Sequence, residues 1–165
     1  MAVDTTPAGP PSISKSARTL IKVVNVLLSA ILRSPFHAKL SQRFMLLSFK
    51  GRKSGKKYTL LVGYQREGEA LEVISPRNWW KNLRGEHTQV SVLLQGRWYN
   101  GVAEAFHGDE TVAAGYLRAM QRSPALIRMY HVQVDETDQP KPDSVRQATR
   151  TCALVRIRLL PEKNA

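Results

Sequence analysis

A chain of 165 residues with 25 Lys and Arg against 13 Asp and Glu, a formal charge of +12, is long enough for one well-cored domain and too short for two comfortable ones. That charge points to anionic partners: a phosphorylated cofactor, an acidic lipid surface or nucleic acid. The single cysteine, Cys152, rules out an internal disulfide, and four scattered histidines at no ligand spacing argue against a metal centre.

Residues 1–16 carry prolines and small polar side chains, the composition of a disordered arm. From Ala17 to Arg33 the polar residues Arg18, Lys22, Asn25, Ser29 and Arg33 recur at steps of three or four among aliphatic ones, which predicts an amphipathic helix with a basic stripe. Lys22 and Asn25 interrupt the apolar run, so it is too broken to span a membrane, and no small-x-small site follows it as a cleaved leader would need. Two readings of 17–33 stay open. It packs on its own domain or a dimer mate, or it lies in the interface of an anionic membrane as a peripheral attachment on the cytoplasmic side. Residues 34–165 form the folded domain.

Arg43 to Phe49 and Tyr58 to Tyr64 are apolar, β-branched or aromatic, and read as two strands of a hairpin. A second hairpin follows, with Tyr58–Arg66 and Ala70–Ser75 around Glu67-Gly68-Glu69. Ser75 to Gly85 opens with helix-start residues and predicts a short helix carrying Trp79 and Trp80. Val90–Leu94 and Trp98–Phe106 flank Gln95-Gly96-Arg97 as a third hairpin. Asp109 caps a helix through Thr111 to Gln121, and Ser123-Pro124 begins another that ends near His131. Asp135 to Asp143, acidic and proline-containing, predicts a loop. Thr151 to Leu160 alternates as a strand with one buried side. These elements give an α+β fold: a mostly antiparallel six-stranded sheet, closed into a small barrel, with flanking helices.

Between the first two strands lies Lys50-Gly-Arg-Lys-Ser-Gly-Lys-Lys57, five cations in eight residues on a backbone loosened by two glycines. Such a segment suits an anion, and two flanking strands make it a rigid device. It is not a Walker A loop, because three residues separate Gly51 from Gly55 and Lys56 is followed by Lys57. Adjacent tryptophans on a helix point in different directions, so Trp79 and Trp80 do not both enter one core. One of them can wall a pocket for a flat ring, with Asn82 offering an amide hydrogen bond. Neither a Gly-x-Ser-x-Gly elbow nor a pair of catalytic carboxylates is present, so an enzyme of this sequence would borrow its chemistry from a cofactor.

Gly-Arg-Lys-Ser-Gly after a first strand, a strand ending Val-Gly-Tyr, and Trp-Trp-x-Asn-Leu about thirty residues beyond the first motif resemble the deazaflavin (coenzyme F420)-dependent nitroreductase family of split β-barrel flavin and deazaflavin oxidoreductases. The resemblance implies a split barrel that binds coenzyme F420. Arg52, Lys53, Ser54 and Gly55 would hold its phosphate, and Lys56 and Lys57 its acidic tail. Ser75, Pro76, Arg77, Trp79, Trp80 and Asn82 would line the rest of the site, with Tyr58 and Tyr64 flanking the ring. It further implies hydride transfer to a small electron-poor acceptor such as a quinone, enone or nitro compound, with Tyr64 or Tyr130 as proton donor and Tyr116 beside Tyr130 in a lid. Family members commonly carry a proline near the position of Leu61. Flavin mononucleotide in the same fold is the alternative cofactor. The rival from another class is a non-catalytic binder of anionic lipid or nucleic acid.

Overall fold

The computed structural model describes residues 42–85 and 87–161; the expected arm 1–16 and helix 17–33 lie outside the described residues. Seven strands form one antiparallel sheet: β1 (Phe44–Lys50), β2 (Lys57–Gly63), β3 (Gln65–Glu67), β4 (Ala70–Ser75), β5 (Thr88–Leu94), β6 (Arg97–His107) and β7 (Ala153–Leu159), in the order β2-β1-β5-β6-β7-β4-β3. A 3-10 helix (Asn78–Leu83) lies between β4 and β5. Three α-helices, α1 (Glu110–Arg122), α2 (Pro124–Met129) and α3 (Pro142–Thr149), separate β6 from β7.

The two outermost strands, β2 and β3, are consecutive in the chain and joined by Tyr64 alone. The sheet must therefore curl until its edges meet, yet among the described residues no ladder pairs them. A barrel split along one seam results. Here the expected six strands become seven, because the run Tyr58–Arg66 breaks at Tyr64, whose amide donates back to the Arg43 carbonyl at 3.0 Å. All three hairpin turns fall where expected. Gln95 and Gly96 both have positive φ (51° and 79°), the pattern of the two-residue turn whose twist matches paired strands.

Strand alternation divides the apolar residues into two layers. Met45, Leu47, Phe49, Val73, Val92 and Val155 fill the barrel with Trp80 and Leu83. On the outer face Leu154, Ile74 and Phe106 pack beneath α1 to α3, against Val112, Tyr116 and Met120. Burying each such side chain stabilises the fold by roughly 1.5–3 kcal/mol. Strand β7 thus has apolar residues on both faces at its start, not the single buried side its alternation suggests, because helices cover Leu154 while Val155 points inward.

Asp109 caps α1 as expected, its carboxylate accepting from the Val112 amide at 3.0 Å. Helix α3 begins inside the stretch read as a loop. Proline at its first turn starts it, Val145 and Thr149 face inward one turn apart, and Arg146 ties it to Glu110 of α1. Among the described residues no helix is long and apolar enough to cross a membrane.

Candidate functional site

The basic hairpin is closed tightly. Lys50 and Lys57 make the last strand pair, the Gly51 amide donates to the Lys56 carbonyl at 2.7 Å, and the Gly55 amide donates to the Gly51 carbonyl at 2.8 Å. Gly51 has no room for a side chain: a Cβ there would lie 2.6 Å from both Ser54 Oγ and Tyr58 Cε2. Gly55 turns the chain with φ of +64°. Ser54 Oγ accepts from the Lys56 amide at 3.3 Å and shares a hydrogen bond with the Tyr58 hydroxyl at 3.3 Å. Arg52, Lys53, Lys56 and Lys57 are exposed, so their charges meet at the tip of a backbone that is internally braced.

The tryptophan segment is a 3-10 helix, and its period of three decides what each side chain does. Trp80 and Leu83, three apart, share the side that enters the barrel, where Trp80 is 2% exposed. The Trp80 ring stacks on His107, 4.5 Å away and nearly parallel, and the Arg84 guanidinium lies over it, 4.8 Å from its centroid. Trp79 and Asn82, also three apart, share the side that faces the hairpin. Trp79 is half-buried and stacks on Phe49 at 6.0 Å; Phe49 stacks in turn on Tyr58 at 5.9 Å. One indole therefore backs the wall and the other forms part of it, alongside Phe49 and Tyr58.

Asn82 joins the two motifs. Its Oδ1 accepts from the Arg52 amide at 3.2 Å, and its Nδ2 donates to the Trp79 carbonyl at 3.0 Å. Sequence reasoning placed Asn82 against a ligand, and the spacing alone gave no sign that it clips the hairpin to the helix. Asn82→Ala should lower stability by less than about 1 kcal/mol, since water can replace both bonds. Its anion affinity should nonetheless drop about tenfold as the cations lose their register with Trp79. Thermal melting and a binding titration together check this; wild-type affinity would mean the clip is dispensable.

Ser75 is buried, and its hydroxyl both donates to the Arg77 carbonyl (3.2 Å) and accepts from the Arg77 amide (3.1 Å). It shapes the entry to the 3-10 helix, while Pro76 and the Arg77 side chain stay exposed. Tyr64 sits half-buried at the seam against the barrel interior. Burial raises its pKa, partly offset by the charge of Arg66 and its hydrogen bond. Tyr130 is not brought to the hairpin. It packs in the outer layer, edge-on to Tyr116 with ring centroids 5.3 Å apart, across the sheet from Phe49 and Trp79. Burial raises the pKa of Tyr130 and, far more, that of Tyr116 beside it.

Two concavities occur elsewhere: a cleft of about 150 Å³ between His87 and Arg158, and an open groove of about 790 Å³ along α2 lined by Pro124, Ile127 and Val132. Neither is lined by a predicted site residue.

Among solved structures the chain is similar to an F420-H2 dependent reductase, FDR-A, at 15% identity over 70% of this chain and 94% of that one, with a TM-score of 0.47. It is similar also to a protein solved as a domain-swapped dimer (14% identity, 87% and 99% covered, TM-score 0.48). A third is the General Stress Protein 26 from Bacillus anthracis str. Sterne (17%, 74% and 89%, 0.43). No curated protein matches the chain. The family model of the F420H(2)-dependent quinone reductase matches residues 35–146, which contain both the basic hairpin and the clipped tryptophan helix. With more than half its length so matched, the chain belongs to the F420H(2)-dependent quinone reductase family, whose members use reduced coenzyme F420 to reduce quinones or similar acceptors.

Proposed function

We propose that the hairpin tip and the 3-10 helix together form the cofactor site, with Arg52, Lys53, Ser54 and Gly55 at the phosphate and Lys56 and Lys57 along the acidic tail. Trp79 and Tyr58 would flank the deazaflavin ring, backed by Phe49 and Trp80. The observation that carries this reading is the Asn82 clip, which holds a cluster of exposed cations beside a half-buried indole. A phosphate needs charge-assisted donors and a planar ring needs an aromatic wall, and this donor set fits both.

When bound, the reduced deazaflavin supplies a hydride to an electron-poor acceptor such as a quinone, an enone or a nitro compound. The chain's own contribution is alignment and electrostatics. Its cations hold the anionic end, its aromatic row excludes water from one side of the ring, and the braced hairpin fixes one relative to the other. Tyr64 packs against the barrel interior and, as a tyrosine, carries its proton at neutral pH, so it can protonate a reduced product. It is a better donor candidate than Tyr130, which packs across the sheet.

Titration of the purified chain with F420 and, separately, with flavin mononucleotide tests the reading through tryptophan fluorescence. Saturable quenching by F420, little response to the flavin, and oxidation of reduced F420 on adding a quinone are the expected results. Preferential flavin binding would overturn the cofactor assignment. Vesicle or DNA binding that survives saturating F420, without turnover, would favour a non-catalytic binder.

A further inference from the structure

The outer face of the sheet has two halves. One, on β4, β7 and the end of β6, lies under α1 to α3. The other, on β2, β1, β5 and the start of β6, carries Phe44, Leu46, Leu61, Leu93 and Trp98. Strand register brings these five together: Leu46 pairs with Leu61 on one side and Leu93 on the other, and Leu93 pairs with Trp98. The centre of this strip is dry. Leu46 is 0% exposed and Leu93 3%, yet the partly buried apolar side chains packed against them, Phe44 and Leu61, are their neighbours in the same sheet. The helices among the described residues make their main sheet contacts with β4, β6 and β7. Side chains standing on an open sheet face are not closed off from water by flanking residues of that face, so this strip calls for a cover.

We infer that residues 17–33 are the cover, and that this apolar strip is their docking surface. Four other segments lie outside the described residues, of which 34–41 offer only Phe36, Ala38 and Leu40 beside Pro35, too little apolar surface for four strands, and are the covalent link into β1. Residues 162–165 are short and mostly polar, Glu86 is a single residue, and 1–16 lack an apolar run. Residues 17–33 have the required surface, aliphatic at the helical spacing from Leu20 to Leu32. They are also tethered to the right place. The chain enters β1 through Gln42 and Arg43, immediately before Phe44 at the edge of the strip. The link from Arg33 to Arg43 reaches about 33–36 Å at full stretch. As a helix, 17–33 would be about 25 Å long, against about 14 Å across four adjacent strands. Its basic stripe, Arg18, Lys22 and Arg33, would face water. The apolar face is then used up within the chain and does not serve as a lipid anchor. This inference is independent of the cofactor assignment.

Trp98, 49% exposed at the rim of the strip, is the place to ask. The full chain with p-benzoylphenylalanine replacing Trp98 is irradiated with and without vesicles rich in phosphatidylglycerol, and the products are mapped by mass spectrometry. The expected product has monomer mass, joins position 98 to a peptide within 17–33, and forms equally with vesicles present. A dimer-mass product would assign the strip to a second copy. Absence of any link to 17–33, or its loss when vesicles are added, would equally overturn the inference. A second measurement covers failure of that variant to fold: Leu27→Asp with Leu28→Asp should lower the melting temperature by several degrees and raise binding of a hydrophobic dye. An unchanged melting curve would overturn the docking.

Discussion

A Glu72→Ala protein is expected to lose about 3 kcal/mol of folding stability, with a melting temperature lower by roughly 6–12 °C. Glu72 points to the outer face of β4 with its side chain fully buried, and two guanidinium groups close over it. Arg118 of α1 donates to both carboxylate oxygens at 2.9–3.0 Å, and Arg156 of β7 donates to Oε1 from Nη2 at 2.9 Å and from Nε at 3.2 Å. Gln65 of β3 adds a bond at 3.3 Å and reaches the Gly115 carbonyl of α1 at 3.2 Å. One carboxylate thus fastens the helical layer to three strands. Removing it leaves two cations facing each other, and their partial exposure, which lets them turn to water, keeps the cost near the lower end for a broken buried pair. Glu72→Met combined with Arg118→Leu and Arg156→Leu should recover part of the loss, since apolar replacement of a whole buried ionic group is often neutral.

The same group fixes a pH dependence. Burial alone would raise the pKa of Glu72, but hydrogen bonds from Arg118 and Arg156 and their charges outweigh it and hold the carboxylate below its ordinary range. A carboxylate depressed in the folded state contributes stability that is complete above its unfolded pKa and is lost as pH falls through the folded value. Urea midpoints should therefore fall on acidification below the ordinary carboxylate range in the wild type, and fall less steeply in Glu72→Ala. Equal slopes, or a change under about 0.5 kcal/mol at neutral pH, would show that the network contributes little.

What could be read from the chain and what could not divide along physical lines. Hairpins were legible because turn glycines and alternating strands are local signals: Gly68 and Gly96 turn with positive φ, as their positions demand. The seam at Tyr64 was not, since a continuous β-rich run gives no sign that the chain must leave one edge of a curled sheet and join the other. Helix α3 was hidden by Pro140, Pro142 and nearby acids, residues that favour loops in isolation but here stand ahead of a helix or in its first turn. The division of labour between Trp79 and Trp80 followed from their adjacency, while which one went inside depended on the 3-10 period. Tyr130 caps the C-terminal end of α2, a helix that sequence order alone could not assign to either side of the sheet.

Charge and position at the hairpin can be separated, and the Arg52→Ala, Lys53→Ala double variant does so from the charge side. Affinity for F420 should fall on the order of 100-fold, about tenfold for each lost charge-assisted bond. Whatever binding remains should respond less to added salt, because fewer ion contacts are left to screen. The fold should be indifferent, since both side chains are exposed and the Arg52 amide, which makes the bond to Asn82, is untouched by the substitution. Asn82→Ala is the complement: it keeps every cation, so its salt dependence should stay that of the wild type while its affinity falls. If the double variant instead binds F420 as tightly as wild type at low salt, the anionic end of the cofactor does not rest on this hairpin. The matched aromatic row of Tyr58, Phe49 and Trp79 would then have to hold the ring without help from the charges beside it.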